Sequence, residues 1–485
     1  MKTAIVIGGG IGGLATAIRL TSKGYQVELY EKNAEVGGKV SELQLDGFRF
    51  DMGPSLFTMP EYLEDLFKSA GKDLKDYLKY QKLDHSCHYF FSDGSDFIFY
   101  DNIDQLAHKN NFEFSHADLA DIRSYLSEAK LLFDRSGRLF LEKSLQKTAS
   151  YFSKQAIKAL PQLINPKHLK PLHQKNASHF KNQKLIQLFD RYATYNGSSP
   201  YQAPAMLSMI SHLEHNIGTF FPEGGMYGII SALVTLAEEC GVKIINDAEV
   251  QTLETNKGQI TAAIINDERK TADIFVSNMD VAFVYKKLLN NNRRFLHETK
   301  KERSSSALVF YWGINQSFPN LNLHNIFFAG DYKAEFEAIF KGKEIPVSPT
   351  IYLNISSKLK PADAPSGMEN WFVMINVPAG DGLSEENIKD TKMVIIKQLS
   401  HTLNADIESS IIVEQMLRPQ DISNRTFSFK GALYGASSNS LTGSFTRHSN
   451  FSKDFSNLYF VGGTVHPGGG IPLCLNSAKI VVDSL

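Results

Sequence analysis

Apolar and polar positions follow a recognisable order at the start of the chain. Ala4-Ile5-Val6-Ile7 is a short, mostly β-branched run, Gly8-Gly9-Gly10 interrupts it, and apolar positions then recur with helical spacing through Leu14, Ile18 and Leu20. A second run, YQVELY, ends at Glu31. Strand, glycine turn, amphipathic helix, strand and carboxylate is the order of the βαβ unit that holds the ADP half of a dinucleotide. Gly8, Gly10 and Gly13 occupy the G-x-G-x-x-G positions, with Ile11 and Gly12 between the last two. The first glycine permits the tight turn, the second lets backbone approach pyrophosphate, and the third lets helix and strand close together. The helix aims its N-terminal N–H groups at the phosphates. Glu31, 23 residues beyond Gly8, stands where a carboxylate accepts ribose hydroxyls and argues against the 2′-phosphate of NADP.

Two-residue alternation takes over further on. VSELQL, Asp46-Gly47 and FRF predict a hairpin between Lys39 and Asp51, leading into the loop Asp51-Met52-Gly53-Pro54-Ser55. HYFFSDGSDFIFY predicts a second hairpin, turning at Asp93-Gly94, apolar enough to lie in a core or to floor an apolar cavity; core is the commoner outcome. From Phe220, a glycine loop, a helix, a strand pair around Val250 and a strand within Thr271–Asp280 return to the nucleotide unit, and Asn290–Arg294 reads as an exit from it. Residues 295 to 430 alternate strands and helices with no spacing assignable to chemistry. Near the end, Leu458–Val461 is a buried-type strand that runs through Gly462-Gly463-Thr464 and Gly468-Gly469-Gly470-Ile471-Pro472 into a helix. Pro472 suits a first helical turn. This is a second anion cradle, placed to receive an isoalloxazine ring while the first receives ADP.

Charge changes the picture in one place. Residues 143 to 184 hold nine lysines and three histidines and no acid, with Leu145, Tyr151, Phe152, Ile157, Leu160, Leu163, Ile164, Leu169 and Leu172 interleaved. Without acids for i,i+4 pairing, this pattern suits an anionic membrane surface better than a solvated helical face. Elsewhere the balance is even: formal net charge −1 over 485 residues gives no bulk field for nucleic acid. Cys87, Cys240 and Cys474 are odd in number and in no metal-ligand spacing, so neither a disulfide framework nor a metal site is expected. No secretory signal precedes the first strand, and nowhere do about 18 apolar residues run together. The expected location is cytoplasmic, peripheral on the inner face of the cell membrane.

The glycine pair of Gly37-Gly38-Lys39, six residues beyond Glu31, is typical of FAD proteins of the amine-oxidase type and selects FAD over NAD. VIGGGIGGLATAIRL, EVGGKV, GFRFDMGPSLFTMP, FPEGGMYGII and YFVGGTVHPGGGIPLCLNSAK lie in order from Val6 to Lys479. Together they resemble the carotenoid desaturases of the bacterial phytoene-desaturase type, and GPSLFTMP looks more like the desaturases of hydroxylated carotenoid end groups, the 1-hydroxycarotenoid 3,4-desaturase branch. The resemblance implies an α/β fold: a Rossmann-like FAD-binding domain from residues 1–70, 215–290 and 430–485. An inserted α+β domain, residues 71–214 and 291–429, would bind substrate and contact the membrane. It implies that FAD is held by Gly8, Gly10, Ile11, Gly12, Gly13, Glu31, Lys32, Gly38, Lys39, Val40, Gly53, Pro54, Ser55, Leu56, Val250, Asn278, Gly463, Gly470, Ile471 and Pro472. One departure stands out: Gly463 replaces the acid of the amine-oxidase pattern.

The resemblance further implies a lipophilic carotenoid substrate drawn from the bilayer, the basic segment at the tunnel mouth, and oxygen or a membrane quinone as electron acceptor. Weakly acidic C–H bonds make proton-first removal unattractive, so hydride abstraction followed by proton loss is expected. No base is named by the sequence. Arg447 and His448 fall near the expected flavin face by family position, and His466, between glycine turns, is more readily a backbone-bonding residue. The alternatives are a phytoene or neurosporene desaturase working in several steps, then a carotenoid isomerase, an amine oxidase, or a non-enzymatic prenyl-binding protein like the GDP-dissociation inhibitors.

Overall fold

In the computed structural model, which describes residues 1–144, 159, 161–162, 165–440 and 447–485, the strand Lys2–Ile7 lies at the centre of a five-stranded sheet. Tyr25–Tyr30 pairs with it on one side and Ile274–Ser277 on the other; Lys243–Ile245 and Leu458–Phe460 form the edges, and every pairing is parallel. A parallel sheet needs crossovers and cover on both faces. Alternation along the first strand supplies both contacts. Ala4 and Val6 join a core with Leu14 and Ile18 of helix Ile11–Ser22, Leu233 of helix Tyr227–Glu239, and Leu475 of helix Ile471–Val482. Ile5 and Ile7 point the other way, onto Val250, Ile260 and Ala263 of a three-stranded antiparallel sheet.

The second large sheet has seven strands in the order Ile411–Leu417, Ser306–Ile314, Glu369–Val377, Ile351–Asn354, His324–Phe327, His85–Phe90 and Asp96–Tyr100. All pairings are antiparallel except that between His324–Phe327 and His85–Phe90. Strand Ser306–Ile314 is buried throughout, and its period of two sorts its side chains. Leu308, Phe310, Trp312 and Ile314 pack with Ile388, Ile395 and Leu399 of helix Glu385–Leu403, whereas Ala307, Val309 and Tyr311 face Phe48 and Phe50 of the first hairpin.

Both expected hairpins form. Glu42–Leu45 and Phe48–Asp51 pair across Asp46 and Gly47, both with positive φ (46° and 85°). Asp51 then accepts from the N–H of Met226 and of Tyr227, each at 2.9 Å, at the start of helix Tyr227–Glu239, while Arg49 bridges Glu42, Asp51 and Asp363. The second hairpin is core: Tyr89, Phe91, Phe97 and Phe99 lie in one cluster with Leu126, Phe189 and Tyr192.

The basic run is only partly a bare cationic face. Residues 145–158, 160, 163 and 164, with most of its apolar positions, lie outside the described residues. Of the rest, Lys143, Lys167, Lys170 and Lys181 are exposed. Two lysines find acids supplied by other segments: Lys184 pairs with Asp93 at 2.5 Å, and Lys175 stands 3.7 Å from Glu128 and over the Tyr125 ring. Absence of local acids therefore did not mean absence of partners. Among the described residues no helix is long and apolar enough to cross a membrane.

Candidate functional site

Two helix N-termini open onto one cavity. Helix Ile11–Ser22 starts at Gly10 and helix Ile471–Val482 at Gly470, neither with a side-chain cap. The first amides of a helix have no intrahelical acceptor, so both ends present N–H groups and a positive dipole end. Gly8, Gly10, Ile11, Gly12, Gly463, Gly470, Ile471 and Pro472 line the cavity. Crowding explains the glycines. A Cβ on Gly10 would stand 2.7 Å from Asn278 Nδ2, and one on Gly12 would stand 2.6 Å from Asn278 Oδ1 and 3.0 Å from Gly462 Cα. Asn278, just past strand Ile274–Ser277, is thus wedged between the two ends of the chain. Gly13 sits behind this wall: a Cβ there would be 2.0 Å from Gly8 O, so it closes helix on strand and does not face the cavity.

Glu31 lines the same cavity and is 5% exposed. Its Oε2 accepts from Gly9 N–H at 2.8 Å, and its Oε1 accepts from Asn33 N–H at 3.0 Å and Nδ2 at 2.6 Å. A carboxylate has about four lone-pair sites, so capacity remains for ribose hydroxyls. Lys32 donates to Asn424 O at 2.7 Å and lies over the Phe427 ring, and Lys39 donates to Leu433 O at 2.6 Å and Ala432 O at 3.3 Å. Burial holds the Lys39 ammonium below the usual lysine range. Gly38, Val40, Gly53, Pro54, Ser55, Leu56, Val250 and Asn278 complete the expected set on the cavity wall. The residues present fit an extended dinucleotide, with an acid at one end, glycine-wrapped amides in the middle and the second cradle at the other end.

Of the three candidates for chemistry, only Arg447 reaches the cavity. Its Nη1 donates to Tyr434 O at 2.7 Å, and burial, with Arg303 nearby, pushes the guanidinium down to about 10. His448 is turned to Tyr285 OH (2.9 Å) and Ser449 O (2.7 Å) and packs on Phe460. His466 is fully buried with Nε2 2.8 Å from Lys143 O, and burial pushes it down to about 4, so it is neutral at physiological pH. Neither histidine lines the cavity.

The cavity does not end with the cradles. Its volume of about 520 Å³ lies within the range of about 300–1,000 Å³ for ligand pockets. Its extension is walled by residues with no sequence motif. One row crosses the seven-stranded sheet: Leu417, Val309, Met374, Tyr352 and Ile326 are directly paired, one per strand, and all line the cavity. Five strands about 4.8 Å apart make this floor about 19 Å wide. Phe133, Phe140, Leu141 and Met209 form an apolar side wall. Tyr332, Glu335, Thr350, Arg191 and Tyr195 also line the cavity. Arg191 there bonds Glu214 at 2.9 Å and Tyr89 OH at 3.0 Å, and Tyr192 and Tyr195 also donate to Glu214. Burial by itself would raise the Glu214 carboxyl, yet Arg191 and His215 hold it at about 2, while burial pushes His215 down to about 4.

The profile of the flavin-containing amine oxidoreductases matches residues 11–484. A 1-hydroxycarotenoid 3,4-desaturase of Flavobacterium sp. (strain P99-3) is 47% identical over 100% of this chain and 99% of its own length. A 4,4′-diaponeurosporene oxygenase of Staphylococcus haemolyticus is 32% identical over 100% and 97%. Among solved structures, an oxidoreductase from Methanosarcina mazei superposes with a TM-score of 0.66 at 18% identity, over 99% of this chain and 100% of that one, which is a likeness of fold. A dinucleotide site whose two halves come from opposite ends of the chain, opening on an apolar extension, agrees with these likenesses: the protein is a FAD-containing oxidoreductase and belongs to the flavin-containing amine oxidoreductase family, in its carotenoid desaturase and oxygenase branch.

Proposed function

We propose that the protein is a desaturase that introduces a conjugated double bond into a 1-hydroxylated carotenoid at its 3,4 position. The observation that carries this reading is the continuous cavity, which joins both glycine cradles to an apolar floor about 19 Å wide, taken with 47% identity over the whole chain to an enzyme of that name. Bound FAD supplies a two-electron acceptor for a hydride. The chain supplies position and dryness: Val309, Met374, Phe372 and Tyr352 hold a rod-like apolar molecule flat beneath the Gly53–Leu56 loop, and near-attack alignment of this kind is worth about 7–11 kcal/mol. With His448 and His466 turned away from the cavity, no histidine base is invoked.

The discontinuous domain division expected above belongs to the same proposal; the five parallel strands begin at residues 2, 25, 243, 274 and 458, which supports it. So does peripheral membrane contact: Leu141 lines the cavity and the basic run starts two residues later in the sequence, which supports a substrate taken from a lipid surface. Oxygen or a membrane quinone would then reoxidise the flavin.

The test supplies purified, FAD-loaded protein with phytoene and with a 1-hydroxycarotenoid in liposomes and follows absorbance. The reading expects a red shift of the hydroxylated compound alone. Consumption of phytoene with the hydroxylated compound unchanged would replace it by multi-step phytoene desaturation.

A further inference from the structure

The row of paired residues across the seven-stranded sheet has a direction. It starts at Leu417 and Val309, runs past Phe372, whose ring is 3.9 Å from a Cβ built on Gly53, and ends at Ile326. The next residue across is Tyr89, whose hydroxyl belongs to the Arg191–Glu214 cluster. The cavity wall is not apolar throughout: Thr350, just ahead of strand Ile351–Asn354, and Glu335 line it as well. A hydrocarbon end gains nothing from such a wall, so its polar atoms need an explanation.

Most of them have one inside the protein. Glu214 is bonded by Arg191, Tyr192 and Tyr195, and its charge is matched by the guanidinium. Glu335 is different. It lies in helix Tyr332–Glu337, is 2% exposed, and lines the cavity. Its Oε2 accepts from Thr350 Oγ1 at 2.7 Å, and Thr350 is itself fixed by accepting from Ala329 N–H at 3.1 Å. Its Oε1 has no hydrogen-bond partner among the described residues. A buried acceptor left unmade costs about 1–3 kcal/mol, and such atoms are rare in folded chains.

We propose that Glu335 is the polar terminus of the substrate tunnel, and that its Oε1 receives the hydrogen bond of the substrate's terminal hydroxyl. This deepens the reading of the protein as a hydroxycarotenoid desaturase and rests on it. The chemistry selects a neutral donor. Burial pushes the Glu335 carboxyl up to about 7, so this environment disfavours a fixed charge, which an ammonium would need opposite it. A hydroxyl suits both protonation states: it donates to a carboxylate oxygen and also accepts from a carboxylic acid. Thr350 holds the carboxyl's rotamer, so the free oxygen is preorganised. Glu335 touches the end of the chain and not the reacting carbons; its role is specificity and register, setting which bond lies beneath the flavin.

The experiment compares wild type with Glu335→Gln and Glu335→Leu, each loaded with FAD and retaining the wild-type flavin spectrum and melting temperature within a few degrees. Each receives a 1-hydroxycarotenoid and the carotene of equal length lacking the hydroxyl, in liposomes. Two quantities are read: kcat/KM from product absorbance, and affinity from the absorbance shift of bound carotenoid. The expected result for Glu335→Leu is a loss of about 10- to 100-fold in kcat/KM and affinity for the hydroxylated compound, with the plain carotene unchanged or improved. Glu335→Gln, which keeps an acceptor, should fall in between. An equal fall on both substrates, or a fall in kcat with affinity unchanged, overturns the assignment while leaving the desaturase reading intact. Wild type that neither binds nor converts the hydroxylated compound overturns both.

Discussion

Gly12, in the first turn of the N-terminal helix, faces Gly462 of the C-terminal segment so closely that a Cβ on Gly12 would lie 3.0 Å from the Gly462 Cα. Backbone from the two ends of a 485-residue chain meets here because strands Lys2–Ile7 and Leu458–Phe460 both pair with Ile274–Ser277 and point the same way. Each strand ends in a glycine loop that feeds a helix, and the parallel arrangement brings both helix N-termini to one edge of the sheet, where an open α/β sheet binds its ligand.

Glu31 is proposed to anchor the adenosine end of that site. Glu31→Gln keeps the shape and removes the charge that strengthens each hydrogen bond to a ribose hydroxyl. FAD affinity, read by equilibrium dialysis, should fall about 10- to 100-fold, because hydrogen bonds to a charged group are worth about 1.5–3 kcal/mol. Unchanged affinity would place the ribose elsewhere.

Arg191 and Glu214 form a buried pair whose members are matched chiefly by each other. Arg191→Met strands a carboxylate among Tyr89, Tyr192 and Tyr195, and breaking one side of such a pair costs about 3–5 kcal/mol. Urea denaturation should register that loss, and the double variant Arg191→Met, Glu214→Leu should recover most of it.

Glu335 gives a pH signature opposite to that of most acids. Its folded carboxyl titrates at about 7, above the usual range, because burial penalises the charge. An unfolded glutamate titrates near 4.3, so between these values the folded chain keeps a proton that the unfolded chain has lost. The stability it contributes is complete below about pH 4.3 and declines as pH rises through about 7, by about 3 to 4 kcal/mol in all. Glu335→Gln has no such proton. Its urea midpoint relative to wild type should therefore rise between about pH 5 and about pH 8, whereas a constant difference would show that burial does not shift this group.

His466 stands among glycines that line the site, yet its ring is buried against Lys143 O and kept neutral. His466→Gln should lower stability by about 1–3 kcal/mol through the lost hydrogen bond and alter kcat by less than about threefold. A loss of several orders of magnitude in kcat, with a flattened pH profile, would make it a base.

Local patterning carried the cofactor half of this site and little of the substrate half. The glycine motifs are legible because each cradle is a contiguous strand–turn–helix segment whose geometry demands glycine at fixed offsets. The Asp46-Gly47 and Asp93-Gly94 hairpins are legible because turn chemistry sets short-range register. The tunnel floor is not. Leu417, Val309, Met374, Tyr352 and Ile326 are neighbours only through pairings between strands distant in sequence, and each alone is an ordinary strand residue. Glu335 sits in KAEFEAIF, which reads as any amphipathic helix. Its burial comes from packing beside Thr350, which no spacing announces. The partners of Lys175 and Lys184 in the basic run are illegible for the same reason, since Glu128 and Asp93 come from other segments.

Bound flavin per chain, measured for Gly12→Val and separately for Gly470→Val, tests most directly whether the two ends grip one cofactor. Gly12 is walled by Gly462 and Asn278, Gly470 has φ 113°, and both line the cavity, so a branched side chain fills either cradle. Wild type should carry about one FAD per chain, and each variant, with circular dichroism unchanged, should lose at least about 90% of it. Full flavin occupancy in either folded variant would contradict a single extended site built from both ends of the chain.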